Sequence, residues 1–229
     1  MTERITLRSA IDGFEFTALH ADAFSPRRGG VIVIQEVFGI DAALQRDVAR
    51  WAALGFEVIA PSLFDRQKMG FIANHDAEGL AIGIRYAREN GQDNPISDVQ
   101  ACIDVLRCKG PVYLVGYCYG GTITWQAAAR ASGITAAASY YGSGVVDALG
   151  LRPACPIICH FGAKDPYIPA DQSAAAIKAA HPGVTVYIYH NSGHGFNNEG
   201  LDADPAEVAA ARERTAALFG AAGDPAPGR

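Results

Sequence analysis

The strongest chemical signal in the chain is the run Gly116-Tyr117-Cys118-Tyr119-Gly120-Gly121. It follows the apolar stretch Val112–Val115 and precedes a stretch with helical patterning, so Gly-x-Cys-x-Gly-Gly falls on a strand-to-helix turn. Such a turn holds its central residue in a strained conformation, and the flanking glycines let the strand and helix backbones approach closely. A thiol at this point stands at a helix N-terminus, whose positive dipole end favours thiolate. The amide of Tyr119 points where the oxyanion of an acyl-transfer intermediate forms. Taken alone, the same run also suits a buried structural cysteine in a glycine-rich turn. A dinucleotide-binding turn fits less well, because that fingerprint belongs to the first strand of a βαβ unit and several elements precede this one.

A nucleophile on such an elbow needs an acid and then a base further along the chain, each at a strand end. The apolar run Ile157–Phe161 is followed by Gly162-Ala163-Lys164-Asp165, and Val184–Tyr189 is followed by His190-Asn191-Ser192-Gly193-His194-Gly195-Phe196. Asp165 and His194 are the candidates: His194 takes the thiol proton, and Asp165 holds the other ring nitrogen and fixes the tautomer. Each alone is also explained as a turn aspartate before Pro166 or as a loop histidine; the ordered set of three is what argues for chemistry. His190 lacks flanking glycines, His160 lies inside a strand, and His20, His75 and His181 read as surface or loop positions. Asp171 is a rival acid, but it reads as a helix start. The loop Gln35-Glu36-Val37-Phe38-Gly39 offers a second oxyanion donor, the Val37 amide, and a carboxylate, Glu36, facing the same crevice. A carboxylate there opposes thiolate formation by like-charge repulsion.

The elements that must position these groups alternate along the chain. A hairpin opens it, turning at Asp12-Gly13 into Phe14–His20. Then come strand Val31–Gln35, a helix capped by Asp41 and running to about Leu54, strand Phe56–Ala60, and an excursion from Pro61 to about Ala77. Helices near Glu78–Glu89 and Ile96–Arg107 lead into strand Val112–Val115 and helix Gly120–Ala131. Strands Thr135–Tyr140, Ile157–Phe161 and Val184–Tyr189, helix Ala170–Ala180 and a last helix from about Pro205 to Phe219 complete the series. Strand–helix alternation of this kind predicts a mainly parallel sheet between helical layers, with ligands beyond the carboxyl ends of the strands. One domain over residues 1–219 is expected, with a frayed tail over 220–229.

The bulk composition agrees. Of 229 residues 49% are hydrophobic and 19% charged, enough apolar material for a core and too little charge for a disordered chain. The net charge of −5 leaves no basic surplus for phosphates, so no nucleic-acid partner is expected. No apolar run reaches the roughly 18 residues of a membrane span, and the first residues lack a signal-peptide pattern. The odd count of five cysteines, with no CxxC pair, points to a reducing, cytoplasmic setting and away from a zinc site.

These motifs together resemble the dienelactone hydrolase family of the α/β-hydrolases: V-I-V-I-Q-E-V-F-G, P-S-L-F-D-R-Q, G-Y-C-Y-G-G, G-A-K-D-P-Y-I-P and S-G-H-G-F, spread over most of the chain. The resemblance implies an α/β-hydrolase fold with a Cys118, Asp165 and His194 triad. It also implies that Glu36 holds the resting thiol and accepts its proton once substrate binds. No cofactor or metal is implied. Family members that process dienelactones bind the substrate carboxylate with two arginines; the position four residues after His194 is here Asn198, and the second arginine has no match. Arg66 matches a family position, which places it at the mouth, and reads equally as a surface arginine. A neutral or aromatic ester or lactone is therefore expected, lined by Phe38, Tyr119, Phe196, Arg66 and Asn198, the aromatics reading equally as plain core, in a chain acting as a monomer or homodimer. Three alternatives stay open: a phosphoester hydrolase using the same thiol, a catalytically silent ligand-binding homologue, and a thiol redox protein using Cys118.

Overall fold

A computed structural model describes residues 2–198 and 203–223. The first two strands, β1 (Thr2–Arg8) and β2 (Glu15–Ala21), pair antiparallel through the predicted hairpin, with Gly13 at φ 72° in its turn. β2 joins the sheet antiparallel to β4 (Phe56–Pro61). From there every pairing is parallel: β4 with β3 (Gly29–Ile34), β3 with β5 (Val112–Tyr117), then β6 (Ala136–Tyr140), β7 (Ile157–Gly162) and β8 (Thr185–Tyr189). The eight strands run in the order β1-β2-β4-β3-β5-β6-β7-β8. This is the expected mainly parallel sheet of an α/β-hydrolase fold. Every residue of β3, β4, β5, β6 and β7 is buried, which is why these strands read as continuous apolar runs rather than alternating ones.

The helices form for local reasons that match the sequence. In α1 (Ala42–Ala53) the Asp41 side chain accepts the Leu44 N–H at 2.8 Å, and Leu44, Val48 and Trp51 make the buried stripe. Asp76 caps α2 (Ala77–Asn90) through the Gly79 N–H in the same way. α3 (Asp93–Arg107), α4 (Tyr119–Arg130) and α5 (Ala170–Ala180) follow at or near their expected bounds.

Differences are confined to ends and connections. β3 stops at Ile34, and Gln35 leaves the ladder to accept the Leu63 N–H with its side chain at 3.1 Å, which anchors the start of the excursion. A short 3-10 turn, Val146–Ala148, was not anticipated. The final helix α6 (Pro205–Gly223) continues past Phe219, so the frayed tail does not begin at Gly220. Phe219 stacks on Tyr113 at 4.7 Å and packs against Trp51 at 5.2 Å, which holds this last stretch on the sheet. The remainder of the expected tail, 224–229, lies outside the described residues. Among the described residues no helix is long and apolar enough to cross a membrane.

Candidate active site

β5 runs straight into α4 through Cys118, which sits at φ 53°, ψ −112° as the N-terminal cap of the helix. This left-handed conformation is strained for a residue with a side chain, and it is held by close packing on both sides. A Cβ on Gly116 would stand 2.1 Å from the Gly120 carbonyl oxygen, and one on Gly120 would stand 2.3 Å from that of Ile34. Any larger residue at either position would push the strand and helix apart. The Cys118 N–H donates to the Tyr140 carbonyl at 3.0 Å, tying the elbow to β6.

His194 and Asp165 arrive from the ends of β8 and β7. The two loops are joined by Ala163 N–H to the Tyr189 carbonyl at 2.8 Å and Lys164 N–H to the Ser192 carbonyl at 3.0 Å. His194 Nε2 lies 3.2 Å from Cys118 Sγ, and Nδ1 lies 2.7 Å from Asp165 Oδ2. The second oxygen of Asp165 accepts the N–H groups of Tyr167 and Ile168 at 2.8 and 3.1 Å, so the carboxylate is fixed by the backbone after Pro166. Burial pulls the His194 pKa down, but hydrogen bonds to Asp165 and Cys118 outweigh it and raise it to about 10. The structure therefore brings together the three groups that the sequence placed far apart, with the base between thiol and carboxylate.

Glu36 enters from the loop after β3. Its Oε2 accepts from Asn198 Nδ2 at 3.1 Å, while Oε1 is buried with no hydrogen-bond partner. The Tyr141 hydroxyl beside it is likewise buried and without a well-formed hydrogen bond. Burial raises the Glu36 pKa, against the opposing pull of Tyr141 and His194. Tyr141 itself sits at φ 36° and packs 5.1 Å from the His194 ring.

A cleft of about 640 Å³ opens over Cys118, with Val37 and Tyr119 at its floor and Phe38, Leu80, Ile84, Ala87 and Ile123 in its walls. Tyr119 is the first residue of α4, where an N–H has no intrahelical acceptor. Among the described residues no cluster of His, Cys, Asp and Glu could hold a metal ion.

The chain matches the dienelactone hydrolase family over residues 16–223. The chain belongs to that family. It is 28% identical over 205 residues to the carboxymethylenebutenolidase of Pseudomonas putida, covering 86% of each chain. It is also 28% identical over 237 residues to carboxymethylenebutenolidase 1 of Cupriavidus pinatubonensis, covering 93% of this chain and 98% of that one. Among solved structures, a dienelactone hydrolase-like promiscuous phosphotriesterase from metagenomic libraries superposes with a TM-score of 0.76 at 21% identity, covering 95% and 97% of the two chains, a likeness of fold. The protein is thus a hydrolase of the dienelactone hydrolase type.

Within this family frame, the expected substrate-contacting residues divide. Phe38 lines the cleft, stacked on His75 at 3.9 Å. Phe196 does not: it is fully buried against Tyr189, Tyr141 and Tyr140, because the turn after His194 directs it into the core. Arg66 is also elsewhere. Its guanidinium pairs with Asp12 at 2.9 Å and with buried Asp98 at 3.0 Å, and it covers the Phe14 ring at 4.3 Å. It fastens the excursion to the hairpin and α3 rather than lining the mouth. Asn198 is spent on Glu36 and does not line the cleft over Cys118.

The sequence missed several lining residues. His75 reads as a loop histidine but lines the cleft, its Nε2 2.6 Å from Asp41 Oδ2. Thr122 and Gln126 line it from α4, four and eight residues after Cys118, a helical spacing that could have flagged them. Arg88 and Gln92 come from the end of α2 and the turn after it, whose docking no local pattern announces.

Proposed function

We propose that this protein hydrolyses small neutral esters or lactones by two-step acyl transfer through Cys118. The observation that carries the reading is the unbroken Cys118–His194–Asp165 chain of contacts, at 3.2 and 2.7 Å, opening onto an apolar cleft. The Cys118 thiolate attacks the carbonyl carbon, and the oxyanion is held by the amides of Val37 and Tyr119. As the C–O bond of the ester breaks, His194 gives its proton to the leaving alkoxide. A water molecule deprotonated by His194 then attacks the thioester, releasing the acid and restoring the thiol. Thiolate is a good leaving group as well as a good nucleophile, which favours activated esters over amides. Glu36, next to this chain, acts as the resting partner of the thiol, as the family resemblance implies.

The test is turnover of p-nitrophenyl acetate by the wild type, Cys118→Ser and Cys118→Ala. The reading expects wild-type turnover and a fall to background in Cys118→Ala. Equal rates in wild type and Cys118→Ala overturn it. An inert wild type supports a ligand-binding role instead, and p-nitrophenyl phosphate in the same assay reads the phosphoester alternative. For the redox alternative, burial pushes the Cys102 and Cys159 thiols up, to about 12 for Cys159, which disfavours either as a resolving partner of Cys118.

A further inference from the structure

The cleft over Cys118 is apolar along most of its length, yet besides Glu36 Oε1 one more buried polar atom of its lining has no hydrogen-bond partner. Gln126 is 8% exposed, lines the cleft, and its Oε1 is buried with no hydrogen-bond partner among the described residues. Buried amides are ordinarily satisfied, and leaving one unpaired is costly, so an unpartnered one on the wall of a cavity marks a place where a ligand completes the bonding. Cys118, Thr122 and Gln126 follow one another at four-residue intervals and share one face of α4. At 1.5 Å per residue, Gln126 stands about 12 Å along the helix axis from the nucleophile. Between them the wall is apolar, with Ile123 from α4 and Leu80, Ile84 and Ala87 from α2. Gln92, at the far end of the same cleft, adds a second neutral amide.

From this geometry we infer that Gln126 is a distal specificity residue. It selects esters whose acyl arm is an apolar chain or ring ending in a neutral hydrogen-bonding group, such as a hydroxyl. Allowing for the bond to sulfur and the hydrogen bond at the other end, the arm spans about six to eight atoms beyond the carbonyl. The hydroxyl pairs with the Gln126 carboxamide, accepting from its N–H or, once the amide turns toward the cleft, donating to its oxygen. This rests on the proposed ester hydrolysis at Cys118.

The experiment compares p-nitrophenyl 8-hydroxyoctanoate with its isostere p-nitrophenyl nonanoate, in wild type and Gln126→Leu. A parallel binding titration uses the non-hydrolysed amides 8-hydroxyoctanamide and nonanamide. The wild type is expected to favour the hydroxylated ester by about 3- to 10-fold in kcat/KM and the hydroxylated amide by a similar factor in Kd. Both preferences are expected to fall to about one or to reverse in Gln126→Leu. Equal handling of both members of each pair by the wild type overturns the inference, and needs no variant to fold. So does a preference that survives Gln126→Leu, or a stronger preference for the carboxylate-terminated analogue, which would assign the subsite to Arg88. No ester turnover with a retained amide preference would sink the hydrolysis reading and leave the subsite standing. Turnover without preference would do the reverse.

Discussion

Asn198 donates to Glu36, Nδ2 to Oε2 at 3.1 Å, while Oε1 of the same carboxylate is buried beside the Tyr141 hydroxyl without a well-formed hydrogen bond. Burial raises the pKa of this carboxylate, and Tyr141 and His194 offset that only in part. Raising the folded-state pKa favours the protonated form, so the folded state loses stability relative to the unfolded chain as pH rises above the ordinary value of 4.5. Glu36→Gln is therefore expected to melt higher than the wild type at pH 8, with the gap closing toward pH 4. Thermal melts at several pH values check this; a gap that widens on acidification would contradict it.

Asn198→Ala removes the hydrogen bond from Asn198 Nδ2 to the Glu36 carboxylate. The expected outcome is a loss of about 0.5–1.5 kcal/mol in stability and a several-fold fall in kcat/KM, since Glu36 is then free to swing relative to Cys118. Denaturant titration and ester kinetics on the same preparation measure both.

His194 carries the opposite linkage. Burial opposes its charge, but its bonds to Asp165 and Cys118 prevail and raise its pKa from 6.5 to about 10. The stability this supplies is fully present below about pH 6.5 and is lost as pH rises toward 10. His194→Gln is expected to be less stable than the wild type at pH 6, with the difference shrinking by pH 10. Its ester turnover is expected to fall by about 10²- to 10⁴-fold. Melting curves across that range and p-nitrophenyl acetate kinetics provide the readouts.

Arg66 tests the boundary between structure and site. Arg66→Ala leaves Asp98, 1% exposed, without its ion pair and uncovers the Phe14 ring. A destabilisation of about 3–5 kcal/mol is expected, with kcat/KM of the remaining folded protein close to wild type. Urea titration together with kinetics at low temperature separates the two effects. A large kcat/KM loss in stably folded protein would return Arg66 to the cleft.

Much of this arrangement was legible in the sequence because it is local. The elbow is written in glycines that have no room for a Cβ, and Asp165 and His194 stand three and five residues past the ends of the predominantly apolar strands β7 and β8. The sheet order could be anticipated only as parallel, since which strands adjoin depends on crossover packing. The failures have a common cause. Phe196 and Arg66 were placed by proximity in sequence or by family position, but a turn of the chain decides whether a side chain faces crevice or core. His75 is not legible because only the excursion brings it to Phe38, whereas the helical spacing of Gln126 from Cys118 is a signal the sequence does carry.

Cys118 is expected to form a covalent acyl intermediate. Wild-type protein mixed with p-nitrophenyl acetate and quenched in acid within milliseconds should show, by intact mass and peptide mapping, one added acetyl group on Cys118. That adduct should disappear on further incubation in wild type and accumulate in His194→Gln, where the deacylating base is missing. Rapid ester turnover with no acetyl on Cys118, or the acetyl on another residue, would contradict the account.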